Sequence, residues 1–333
     1  MRRERIAMEP NERRGARGQI IPLFALTLVV IVAMVGLVLD GGSTFAQRRS
    51  EQNAVDLAAL AAANDLIVNQ GSATWDATAR SVATQNGYTD GANGASVSVT
   101  CKNCPGQAAD TSAAGVQVTV TITAPHPNTF TNVIGISSWN VSTTATAETG
   151  WPDTSTGPAP FIVSQTAFNA QGQATSCKDK ENQCSLTHPV SDTPTAPTDF
   201  TFTNFGYNKL CADPGNVNDA QLQAYLAGRA SFSITLQVGC YIAQHNDGVM
   251  NNTVAALQAM APMAFAVPVV DVNGNYVGWT TFMMTAANAN GRNGTITGYY
   301  VDSSYYFNQT LDVSGSGFGN STFGGSYVLK LIN

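Results

Sequence analysis

RGQIIPLFALTLVVIVAMVGLVLDGG, residues 17–42, carries no charged side chain from Gln19 to Leu39, and Asp40 closes the run. Three readings compete for it: a cleaved secretory signal, a retained membrane span, or the N-terminal helix of a pilin-like subunit. Length separates them. A helix rises about 1.5 Å per residue, so a hydrocarbon core of about 30 Å needs roughly 20 apolar residues. Ile20 to Leu39 supplies that length. A secretory apolar region is shorter and ends at a small-residue cleavage site, and Asp40-Gly41-Gly42-Ser43 has no such pattern. The expectation is a retained transmembrane helix over residues 19–40.

Charge orients it. Residues 1–18 hold Arg2, Arg3, Arg5, Arg13, Arg14 and Arg17 against Glu4, Glu9 and Glu12. The far side opens on Asp40, and its first basic residues are Arg48 and Arg49. Positive flanks stay in the cytoplasm. The expectation is a basic cytoplasmic segment over 1–18, a cell-membrane location with a single pass, and residues 40–333 outside. Residues 254–270 form the next most apolar run, but Pro262 and Pro268 interrupt it.

Six arginines against three glutamates make residues 1–18 net +3, which leaves −9 for the rest of a chain whose formal charge is −6. An acidic outer part argues against nucleic acid, which requires clustered Lys and Arg. Only 11% of residues are charged and 44% are hydrophobic, with Thr, Ser, Asn and Gly filling polar positions. That composition suits an exported, β-rich protein and opposes disorder.

Cys101, Cys104, Cys177, Cys184, Cys211 and Cys240 all lie beyond the apolar run. An even count in an exported chain reads as disulfides. Sequence proximity suggests Cys101–Cys104, Cys177–Cys184 and Cys211–Cys240. Zinc would need a second CxxC or adjacent histidines, and His126, His188 and His245 are scattered. No metal and no cofactor is expected.

Downstream of the span, residues 43–69 are rich in helix formers, with Ala54, Leu57, Ala58 and Ala61 at helical spacing. The helix is expected to continue outward and stop before Gly71, with Gly41-Gly42 a candidate kink. A shorter helix follows within 72–88, then strands at 95–101 and 115–123, a helical turn within 126–136 and a strand at 138–149. Residues 41–150 therefore read as an extended helix plus a small α+β domain. GWPDTSTGPAP opens a linker at 151–160, and residues 161–333 read as a mainly antiparallel β domain. In that domain Asn273-Gly274 predicts a hairpin with a type I′ turn. Residues 216–228 predict a helix capped by Asn218 or Asp219.

The first fifty residues after the basic segment resemble the N-terminal segment of TadG-like proteins of the Flp (tight adherence) pilus-assembly system. The resemblance rests on Gly18-Gln19, on Gly36 to Asp40 with Gly42, on Phe45, on Arg48-Arg49 and on the alanine-rich run Asp56 to Ala63. It implies a single-pass envelope protein of pilin-like plan, acting structurally with other pilus-assembly or envelope proteins. It also implies a possible prepilin-peptidase cut between Gly18 and Gln19. Flp-type substrates carry a Glu-Tyr pair where this chain has Leu23 and Phe24, which points to an uncleaved accessory or minor-pilin-like protein.

Two metal-like motifs read as turns. LDVSGS (311–316) matches an adhesion signature through Asp312, Ser314 and Ser316, but only seventeen residues follow it. DVNGNY (271–276) begins like a calcium loop but has Tyr276 where glycine is required and Phe282 where glutamate is. No nucleophile motif or phosphate loop stands out, so an enzyme is not expected. The alternative function is a membrane-anchored adhesin or ligand-binding module, motivated by Trp279, Tyr299, Tyr300, Tyr305 and Tyr306 in the β-rich segment.

Overall fold

The computed structural model describes residues 20–69, 73–169, 177–188, 199–205, 217–242, 250–291, 294–301, 310–314 and 325–332. The fold is α+β. A long N-terminal helix, α1 (Ile20–Val68), runs without interruption through Gly41 and Gly42. The expected kink is therefore not there: each glycine keeps helical geometry, and a Cβ at either would meet nothing within 4 Å.

The two halves of α1 differ in what they meet. The apolar stretch has a mean hydropathy of 2.8 and is 6% buried. The outer half buries Ala54, Val55, Ala58, Ala59, Ala62, Ala63, Leu66 and Ile67. Pairs recurring every four residues make one continuous stripe. The stripe is rotated from the one expected: Leu57 is 51% exposed and Ala61 only half-buried.

That stripe lies on a four-stranded antiparallel sheet of order β1-β2-β3-β13, from β1 (Ser96–Lys102), β2 (Val116–Pro127), β3 (Ser138–Gly150) and β13 (Val328–Ile332). Strand residues alternate between faces. Val116, Val118, Val120 and Ile122 of β2 turn toward the helix and are fully buried. Ala145 and Ala147 of β3 are buried in the same core. Small side chains on both partners let helix and sheet approach closely. The outer face is a hydroxyl ladder: Thr119 with Thr146 (2.8 Å), Thr121 with Thr144 (2.9 Å) and Thr123 with Ser142 (2.8 Å). A shorter helix, α2 (Trp75–Gln85), packs Ala79 and Ala83 into this core.

The remainder is built mainly on a six-stranded sheet of order β6-β11-β10-β9-β5-β7. Its strands are β5 (Phe161–Ser164), β6 (Cys184–Thr187), β7 (Phe200–Phe202), β9 (Met263–Val270), β10 (Tyr276–Asn288) and β11 (Thr295–Val301). Its neighbouring strands pair antiparallel except β5 with β9, which are parallel. Its core stacks Phe161, Phe200, Phe202, Phe265, Phe282 and Tyr300, with ring centroids 5.0–6.5 Å apart in edge-on geometry. Helices α4 (Asp219–Gly228) and α5 (Asn251–Met260) cover it, and a single helical turn, α3 (Gln165–Phe168), follows β5. Asn218 caps α4 in a reciprocal box with Gln221 (2.9 and 3.0 Å). Asp219 instead accepts from the Thr253 N–H at the start of α5 (2.8 Å).

Two strand pairings cross the divisions expected from sequence. The stretch 151–160 is not a free linker, because β4 (Thr154–Thr156) forms a small sheet with β8 (Ser233–Thr235) and β12 (Thr310–Asp312). The last strand, β13, pairs with β3 and so completes the N-terminal sheet. A linker-like composition hides the first pairing, since edge pairing needs only backbone donors and acceptors. The Asn273-Gly274 hairpin is present, but its turn is not type I′. Gly274 has φ +82, Asn273 is not in the left-handed region, and the Gly274 N–H donates to the Asp271 carbonyl (3.1 Å). Asp271 selects this turn by accepting from the N–H groups of Asn273 (2.8 Å) and Asn275 (2.9 Å).

Candidate functional site: the junction of helix and loop at Asp40

The loop between β2 and β3 folds back onto α1 where the apolar run ends. Asp40 is 2% exposed. Its carboxylate accepts from the N–H groups of Thr129 (3.0 Å), Phe130 (3.0 Å) and Thr131 (2.7 Å) and from the Thr131 hydroxyl (2.9 Å). These donors open a 3-10 turn, Thr131–Ile134, whose first N–H groups have no partner of their own within the turn. The carboxylate thus caps one element from another, and its negative charge suits the positive end of the turn.

One turn inward, Gly36 makes room for the loop. A Cβ there would lie 2.6 Å from the Phe130 Cβ, so no other residue fits without moving Phe130. Gly36 and Asp40 are one helical turn apart and therefore on one face. The spacing Gly-x-x-x-Asp is the footprint of this loop on the helix.

One turn outward the same face continues as a polar chain. The Ser43 hydroxyl bonds His126 Nε2 (2.9 Å), His126 Nδ1 bonds Gln47 Oε1 (2.6 Å), and Gln47 Nε2 donates to Glu51 Oε1 (2.8 Å). Glu51 is fully buried, and burial pushes its carboxyl above the usual glutamate range, only partly opposed by the Gln47 donor. Its Oε2 has no partner among the described residues. The helical turn expected within 126–136 is confined to Thr131–Ile134, because β2 extends through Pro127 and His126 pairs with Trp139.

Residues 18–65 match the family model described as putative Flp pilus-assembly TadE/G-like. The TadE/G-like segment contains Gly36, Asp40, Ser43, Gln47 and Glu51, the helix side of the whole junction. It contains none of the strands against which the helix packs. The match supports involvement of this chain in Flp/Tad pilus assembly. The apolar helix within it is the one helix, among the described residues, long and apolar enough to cross a membrane. No curated protein and no solved structure matches the chain.

The other sequence candidates fall elsewhere. Gly18 and Gln19, the possible cut, lie outside the described residues. Cys101 is joined to Cys104 and Cys177 to Cys184, with Cα atoms 5.9 and 5.4 Å apart, ordinary for a disulfide. Cys240 is also disulfide-bonded, and Cys211 lies outside the described residues. Asn103 locks the first knuckle: it adopts φ +59, and its amide donates to the Asp110, Ala113 and Gly115 carbonyls (3.2, 3.1 and 2.9 Å). An Asn between two cysteines, tolerant of the left-handed region, was the available signal.

The metal-like motifs are used for structure. Asp312 accepts from Lys330 Nζ (2.7 Å), and the Ser314 hydroxyl donates to Asp153 instead (2.6 Å); Ser316 lies outside the described residues. Among the aromatics that motivate a ligand site, Trp279 and Tyr300 are buried in the core and Tyr299 is half-buried. Tyr305 and Tyr306 lie outside the described residues.

Proposed function

We propose that this chain is a single-pass envelope protein of TadG-like kind that acts structurally, not catalytically, in assembling or anchoring a Flp/Tad-type pilus. Its N-terminus is cytoplasmic and residues 40–333 are extracytoplasmic. The observation that carries this reading is the family match over residues 18–65, which falls on a helix bare along its apolar half and covered by a sheet along its outer half. One rigid element thereby couples the bilayer to a folded outer domain, which suits a mechanical role. The arginine-rich segment before Ile20 supports the orientation. Disulfides in the outer part support an oxidising compartment. Partners are other pilus-assembly or envelope proteins.

The test is a strain lacking the gene, complemented by the wild-type chain. Loss of surface pili by electron microscopy, with loss of adherence, is expected, and complementation restores both. Normal pili and normal adherence in the deletion strain would overturn the assembly role.

A further inference from the structure

We propose that the loop between β2 and β3, residues 128–137, is a second membrane contact: its apolar tip enters the lipid interface beside the outer end of α1, so the outer domain is held to the bilayer at two points. The inference rests on reading Ile20–Leu39 as the bilayer span.

Depth is the first argument. Phe130 packs on Gly36, which lies inside the apolar run, four residues before Asp40. At about 1.5 Å per residue that places the contact about 6 Å inward of Asp40, within the depth at which apolar faces sit at the headgroup boundary. The helix residues at this level, Leu37, Val38 and Leu39, are 59%, 72% and 52% exposed. They face lipid in any membrane the helix crosses, and the loop lies against the same turn.

Surface chemistry is the second. Val133 is 87% exposed, Ile136 43% and Phe130 40%. No Asp, Glu, Lys or Arg occurs between Pro127 and Ala147, so no charge has to be dehydrated. Trp139 sits half-buried at the base of the loop, where an indole ring suits the interface.

The third is backbone accounting. Irregular backbone near hydrocarbon is costly unless its donors are paired. Asp40 takes the N–H groups of Thr129, Phe130 and Thr131. Within the loop, Asn128 donates to Ser137, Val133 to Phe130, Gly135 to Asn132 and Ile136 to Thr131. The loop is thus tied to itself and to the helix while Val133 and Ile136 stay exposed.

The full chain, reconstituted in phosphatidylcholine–phosphatidylglycerol vesicles, carries a diazirine amino acid in place of Val133, Ile136, Leu28 or Val272, one at a time. Leu28 lies in the span, and Val272, 75% exposed, lies on the β9–β10 hairpin turn. After irradiation, lipid adducts are measured by intact-protein mass spectrometry. The expected yield at 133 and 136 approaches that at 28 and exceeds that at 272 by about tenfold, since an inserted tip meets acyl chains and an outer hairpin meets water. Lipid labelling at 28 with 133 and 136 at the level of 272 overturns the loop contact and leaves the anchor standing. Protein–protein adducts at 133 and 136 in place of lipid adducts overturn it in favour of a second copy of the chain. No lipid labelling at 28 overturns the anchor reading, and the loop contact with it.

Discussion

Asp40 and Gly36 do different work four residues apart. Asp40 supplies a charged acceptor to three consecutive N–H groups, and Gly36 supplies the absence of a side chain. Asp40→Ala is expected to free the 128–137 loop without unfolding the sheet. Hydrogen exchange should then rise at Phe130 and Thr131 and stay unchanged at Val118 and Val120; uniform protection throughout would show that the carboxylate does not hold the loop. Gly36→Leu should displace Phe130, because its Cβ would meet the ring stem at 2.6 Å. Glu51 makes a pH prediction. Its carboxyl is raised by burial, so the folded state binds a proton more tightly than the unfolded chain does. The sign follows: stability is greatest below the ordinary glutamate pKa and falls as pH rises from there through the raised folded value. Glu51→Gln in detergent-solubilised protein should raise the melting temperature at neutral pH and flatten its fall with pH. A variant that melted lower than wild type at neutral pH would contradict this.

At the scale of elements, the alanine stripe of α1 decides how closely helix and sheet approach. Ala58→Leu forces a larger side chain into a filled core and should cost about 1–3 kcal/mol. Leu57→Ala, on the exposed side, should change stability by no more than about 0.5 kcal/mol. Denaturant unfolding of the full chain separates the two, and equal effects would mean the stripe is wrongly placed. Much of this unit is legible in sequence. Uncharged length marks the apolar half of α1, and period-two alternation marks β1, β2 and β3. The helical spacing of Ala54 and Ala58 marks a packed face. The exact face is not legible, because six of the ten residues from 54 to 63 are alanine and composition no longer picks a side. The Asp40 junction is hidden for another reason: its partners lie about ninety positions away, and the donors are backbone groups that leave no trace in residue identity. In the outer sheet, the Asn273-Gly274 hairpin is legible, while its turn type depends on Asp271 two residues earlier.

Across the whole molecule, the chain returns to its start. Lys330 on β13 reaches the buried Glu148 of β3 (3.2 Å), and the Tyr327 hydroxyl donates to Asn64 of α1 (3.1 Å). The Thr149 hydroxyl donates to the Val328 carbonyl (2.9 Å). Removing residues 326–333 should therefore raise amide exchange along β3 at Ala147 and Thr149, far from the cut in sequence; unchanged exchange would mean β13 is not needed there. In the proposed role α1 is a single helix that is membrane anchor along one half and domain core along the other. The most direct measurement of that claim is the N-terminal sequence of the protein extracted from membranes. A start within the first ten residues is the result predicted. A start at Gln19 would mark peptidase processing with the anchor kept, whereas a start beyond Asp40 would remove the apolar helix and contradict the account.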